Sequence, residues 1–110
     1  MEKVSFRYKG KEFKINARRC SFFSSGLMFR SRDTVPCLFE FRKDSKFKIS
    51  SLFVFFDFLA VWLDEKDKAV EVRRVRPFTF SVSAKKPFRK LIEIPFNSKY
   101  GSEIKSLVGD

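Results

Sequence analysis

No histidine occurs in the 110 residues, and that absence removes most hydrolytic chemistry. A Ser-His-Asp or Cys-His arrangement needs an imidazole to carry the proton, so neither can form. Cys20 and Cys37 make no Cys-x-x-Cys pair and cannot supply the four Cys/His ligands of a structural zinc site. They read either as two small buried residues or as a single bridge. Ser24-Ser25-Gly26 has the look of a nucleophile-bearing turn but lacks the Gly-x-Ser-x-Gly frame and any basic partner. There is no Gly-rich phosphate loop. Asp64, Glu65 and Asp67 crowd one polar, turn-prone tip, the pattern of a solvated turn rather than an acid/base pair. Glu40, Glu71 and Glu93 each lie between apolar strand residues and are expected to face solvent. The chain is expected to be non-enzymatic, with no metal and no cofactor.

Binding chemistry is better represented. Arg30 follows the apolar run Leu27-Met28-Phe29, where a guanidinium could clamp a carboxylate or phosphate bidentately or fix a loop. Lys and Arg number 24 against 13 Asp and Glu, a formal net charge of +11. Such a surplus attracts polyanions. The best candidates for that contact are Arg73, Arg74 and Arg76, read as the solvent face of one strand, with Lys85 and Lys86 in the basic loop that follows. A charged strand edge that blocks sheet-to-sheet pairing explains the arginines equally well. The partners expected are therefore a small or peptide-like anionic molecule or, alternatively, nucleic acid.

The elements that must position these residues are mostly strands. Val4, Phe6 and Tyr8 alternate with Ser5, Arg7 and Lys9, and the alternation resumes at Phe13 and Ile15 after Gly10, which predicts a hairpin with one wet face. Ser21 could cap a short helix running toward Arg30, and residues 30–36 read as a polar loop. Cys37–Phe41 predicts a strand and Arg42–Ser45 a turn. Phe47–Phe56 and Phe58–Leu63 are nearly continuous in apolar residues, which predicts burial on both faces. Trp62 is expected in that core and is also kept as a ligand-binding candidate. Asp64–Lys68 is read as a hairpin tip, Ala69–Arg76 as a strand ended by Pro77, Phe78–Val82 as another, and Lys90–Pro95 as the last. A short helical turn is expected within Asn97–Ile104.

A chain of this length builds one domain, residues 1–110, with a single core rich in its 16 Phe. The fold class expected is mainly β: a compact antiparallel sandwich or barrel, jelly-roll-like, with one or two short helices. The N-terminal residues alternate where an export signal would be unbroken. The longest apolar stretch, Leu52–Leu63, is too short for a membrane-spanning helix. A cytoplasmic protein, monomeric or weakly dimeric, is expected.

The ordered set of motifs resembles the DUF192 (UPF0127) family of small β proteins, in its short archaeal form. Gly26-Leu27-Met28-Phe29-Arg30 is similar to the family's most recognisable segment, and Leu38-Phe39-Glu40-Phe41 to the strand after it. Phe53-Val54-Phe55-Phe56, Val61-Trp62-Leu63-Asp64, Ala69-Val70-Glu71-Val72 with Pro77, and Leu91-Ile92-Glu93-Ile94-Pro95 follow in the family's order. The resemblance implies a β fold, no established activity, and a site near Met28 and Arg30. This chain departs from archaeal relatives at Ser51-Leu52, where they carry His-Met, and at Asp57-Phe58-Leu59, where they carry Pro-hydrophobic-Asp. The family's Asp is thus lost or shifted by two positions. A shift of two keeps the same strand face, so Asp57 is the candidate replacement.

Overall fold

Period-two alternation builds the first hairpin as expected. Strand β1 (Glu2–Tyr8) pairs antiparallel with β2 (Lys11–Cys20), placing Val4 opposite Ile15 and Phe6 opposite Phe13. The Phe6 and Phe13 rings stack with centroids 5.2 Å apart. Lys9 and Gly10 form the two-residue turn with φ of 49° and 79°, the pair of left-handed conformations that matches the twist of a tight hairpin. The computed structural model describes residues 1–20, 27, 30–46, 48–49, 54–79 and 81–108. The helix expected after Cys20 falls largely on residues outside that set.

Four further strands complete one sheet: β3 (Cys37–Ser45), β4 (Phe58–Leu63), β5 (Ala69–Val75) and β6 (Phe88–Pro95). Their order is β1-β2-β3-β6-β4-β5. Among these pairings β2 and β3 alone run parallel, over Arg18–Cys20 and Cys37–Phe39. The 21–36 connection is long enough for the crossover that a parallel pair requires. The sheet curls until its two edges meet. The Arg7 amide donates to the Asp67 carbonyl at 3.0 Å, and Arg7 Nη2 donates to the Lys66 carbonyl at 3.3 Å. The mainly β, barrel-like expectation is met by a half-barrel of one mixed sheet. It is followed by one 3₁₀ turn (Ser98–Tyr100) and one short helix, α1 (Gly101–Val108).

Curling gives the sheet a concave and a convex face, and both are covered. Val4, Phe6, Ile15, Val61, Ile92 and Ile94 fill the concave side, closed by Ile104 and Leu107 of α1. On the convex side Trp62, Phe58, Phe88 and Leu91 are covered by residues of the connections: Leu27, Ile49, Val54, Phe56 and Val82. Every residue of β4 is consequently buried, as its continuous apolar sequence implied.

Three expectations are corrected. Arg42–Ser45 is not a turn; β3 continues through it, with an irregularity between Glu40 and Ser45. The described residues of 78–82 form no strand. Phe78 has φ of 61°, which breaks extended backbone, and what remains is a single bridge from Val82 to Ile49 with hydrogen bonds of 2.7 and 2.9 Å. Glu93 does not face solvent; it is 6% exposed. Alternation does put it on the convex face, but the loops make that face a second core.

Candidate functional site

Where β4 begins and β6 ends, side chains from several segments line an open cleft of about 370 Å³: Arg32, Phe55, Phe56, Asp57, Arg74, Pro77 and Phe96. Strand register assembles it. Phe58 pairs with both Val75 and Pro95, so Asp57 and Phe96 lie together just outside those pairs, and Arg74, opposite Leu59, reaches back from one residue inside to meet them. The Phe96 amide donates to the Asp57 carbonyl at 3.0 Å. Arg74 Nε donates to Asp57 Oδ2 at 2.6 Å, and its guanidinium carbon sits 4.5 Å from the Phe96 ring centroid. The acid and the ring together fix the Arg74 head, with both Nε and Nη2 against Asp57 Oδ2.

Arg32 arrives from the loop before β3. Asn97 Nδ2 donates to the Arg32 carbonyl at 2.8 Å and to that of Thr34 at 3.3 Å, which ties this loop to the segment carrying Phe96. Among the described residues, the exposed Arg32 guanidinium has no ion-pair partner. The cleft thus contains one paired acid and two cations, a local charge of +1 under an apolar wall.

Of the residues singled out from sequence, Asp57 and Arg74 are in the cleft. Arg30 is exposed near the loop, its amide donating to the Leu27 carbonyl at 3.3 Å. Met28 lies outside the described residues. Trp62 is 0% exposed in the convex core, the structural alternative for that side chain, and does not line this cleft. The arginines of β5 do not share a face, because neighbours on a strand point to opposite sides. Arg73 is on the convex side, ion-paired with Glu71 and 5.6 Å from the Trp62 ring. Arg74 is on the other side, paired with Asp57. Arg76, Lys85 and Lys86 are exposed, and the Lys85 amide donates to Glu71 Oε1 at 2.8 Å. Sequence reasoning passed over Arg32, Phe55, Phe96 and Asn97. No motif marks them; they meet only through the β4–β6 pairing and the Asn97 tether.

A second polar cluster is sealed inside the convex core. Cys37 pairs with Glu93 across β3 and β6, and Arg18 Nη2 donates to Cys37 Sγ at 3.0 Å. Cys20 Sγ donates to the Arg18 carbonyl at 3.6 Å. Both cysteines are buried. The hydrogen bond with Cys20, then burial, pushes the Cys37 thiol far above its ordinary range, which suppresses the reactive thiolate. Native protein treated with iodoacetamide at pH 8 is therefore expected to stay unmodified for hours, and both thiols to react once urea unfolds it. Rapid modification of the folded protein, read by mass spectrometry, would contradict this burial.

Comparison with known proteins finds likeness at the level of fold. A candidate transcription regulator from Sinorhizobium meliloti 1021 superposes with a TM-score of 0.70 at 13% identity, covering 83% of this chain and 76% of its own. A protein of unknown function from Novosphingobium aromaticivorans DSM 12444 gives a TM-score of 0.73 at 12% identity, covering 91% and 76%. No family model matches the sequence. No curated protein matches it either.

Proposed function

We propose that this chain is a non-enzymatic binding module for a small or peptide-like anion, with the cleft beside Asp57 as its site. The observation that carries this reading is the pairing of an immobilised guanidinium, Arg74, with a second, unengaged one, Arg32, over the same cleft. Two guanidinium groups suit carboxylate or phosphate oxygens, whose hydrogen bonds to charged donors are among the stronger ones. Asp57 balances the charge of Arg74 and holds its fork in place, so the cleft's surplus charge is that of Arg32. The volume falls at the small end of ligand sites. We also propose membership in the DUF192 family, supported by the order of the motifs along the chain; matching this chain residue by residue to a wider set of sequences tests it.

The test is thermal unfolding with pyrophosphate and with citrate. A saturable rise in Tm is expected, with the apparent Kd weakened at least about tenfold in Arg32→Gln, since a charge-assisted hydrogen bond contributes roughly 1.5–3 kcal/mol. No saturable shift from either anion, or the same shift in Arg32→Gln, rejects the cleft as an anion site.

A second reading, association with nucleic acid over the basic surface, is supported by the exposed Arg76, Lys85 and Lys86. It is tested by anisotropy of labelled oligonucleotides across a salt series. Binding that persists at physiological salt favours it, and loss of all binding there reduces the +11 charge to a surface property.

A further inference from the structure

Among the described residues two phenylalanines are exposed, Phe55 at 57% and Phe78 at 58%, and they touch. Their rings meet edge to face with centroids 5.5 Å apart and an interplanar angle of 73°. Phe55 lines the cleft, and Pro77, next to Phe78, lines it too. In a chain that buries aromatic side chains on both faces of its sheet, a surface aromatic corner at the rim of the cationic cleft calls for a reason.

Backbone geometry sharpens the question. Phe78 has φ of 61°, a left-handed conformation that is unusual for a bulky residue. Pro77 followed by a left-handed residue is the residue order of a type II turn, in which the second position favours glycine. The Thr79 hydroxyl donates to the Arg76 carbonyl at 2.8 Å across this turn. A phenylalanine is thus held where glycine would be easier, and its ring is left in water. Neither burial nor backbone ease accounts for it. Strain of this kind concentrates at binding sites.

Resting on the anion-binding reading above, we propose that the anion is a nucleotide, with its base stacked in the Phe55–Phe78 corner and its phosphate on Arg32 and Arg74. The corner offers one ring face and one ring edge, which suits a planar heterocycle. Base–aromatic stacking tolerates any base, because every base has a π face. The two cations sit across the same cleft, so base and phosphate are engaged together. The one acid lining that cleft, Asp57, is already paired with Arg74. The shared chemistry, a base with a phosphate, could come from a free mononucleotide or from the end of a single strand.

Calorimetric titration of the full chain separates the possibilities. AMP is expected to bind at least about tenfold more tightly than ribose 5-phosphate, the gain from stacking one base. Phe55→Ala and Phe78→Gly each abolish the advantage of AMP over ribose 5-phosphate. Phe78→Gly also leaves Tm unchanged or raised, so its loss of AMP binding cannot be assigned to misfolding. A 5′-phosphorylated ten-nucleotide single strand that binds more tightly than AMP, and with a steep salt dependence, identifies a strand end as the source. Equal affinity identifies the free nucleotide. AMP no tighter than ribose 5-phosphate, or unchanged in both Phe variants, overturns the proposal while leaving the anion site standing. Failure of pyrophosphate and ribose 5-phosphate as well removes the anion site itself.

Discussion

Glu93→Gln is expected to make this protein more stable at pH 8 and above, and to change little at pH 5. Burial, then the neighbouring Cys20, raises the Glu93 carboxyl from 4.5 to about 8. The folded protein therefore holds a proton that the unfolded chain releases above about pH 4.5. Between those values the unfolded state binds fewer protons, so stability falls as pH rises. The stabilising condition is fully present below the unfolded pKa and is lost by the folded one. Multiplying the shift by about 1.4 kcal/mol per unit gives a loss on the order of 4–5 kcal/mol across that window. Glutamine keeps the shape without the ionisation. Urea denaturation at intervals from pH 5 to 9 measures the difference between the two proteins. Parallel curves would mean that Glu93 does not carry the effect.

The second large effect concerns Trp62. Removing the ring in Trp62→Ala is expected to cost about 3–5 kcal/mol, a large part of the 5–15 kcal/mol typical of a whole domain. The ring is fully buried, 6.4 Å from the Phe88 ring and beneath the Arg73 guanidinium. Its Nε1 is also buried and has no hydrogen-bond partner among the described residues. An unmet donor of this kind is itself unfavourable. Trp62→Phe removes that N–H along with part of the ring, so the two changes offset and a loss of no more than about 1–2 kcal/mol is expected. Chemical denaturation of the three proteins at pH 6 compares them. A phenylalanine variant as unstable as the alanine one would show that the N–H is satisfied.

How much of this was legible beforehand depends on whether the local pattern had a rival. Val4, Phe6, Phe13 and Ile15 announce their hairpin because alternation and Gly10 agree. Phe58–Leu63 announces a strand buried on both sides because no residue in it is polar. Glu93 misleads for the converse reason. Its alternation is correct, but whether a convex face is wet depends on loops that no periodicity describes. Phe78–Val82 alternates as well, and a left-handed residue after Pro77 overrides it. The cleft was legible at Asp57, through family resemblance, and at Arg74, which was read as a polyanion contact on a strand face. Arg32 and Phe96 are far apart in sequence, and it takes the closing of β6 against β4 and the Asn97 tether to bring them together.

The position of β6 in the sheet also has a consequence for how the chain is made. It stands between β3 and β4, yet of the six strands it is synthesised last. Once β5 has been made, the chain holds two fragments joined by no strand ladder beyond the Arg7–Lys68 bridge: β1–β3, linked to one another partly by a short parallel pairing, and the β4–β5 hairpin. Each has an open edge on the side where β6 belongs, and open edges recruit other chains. Val61 and Phe6 lie in one core, but until Phe88–Pro95 emerges the Arg7 bonds to the Asp67 and Lys66 carbonyls are the main backbone link between their hairpins. Assembly of the sheet is therefore a late event in translation, and the nascent chain needs protection up to that point.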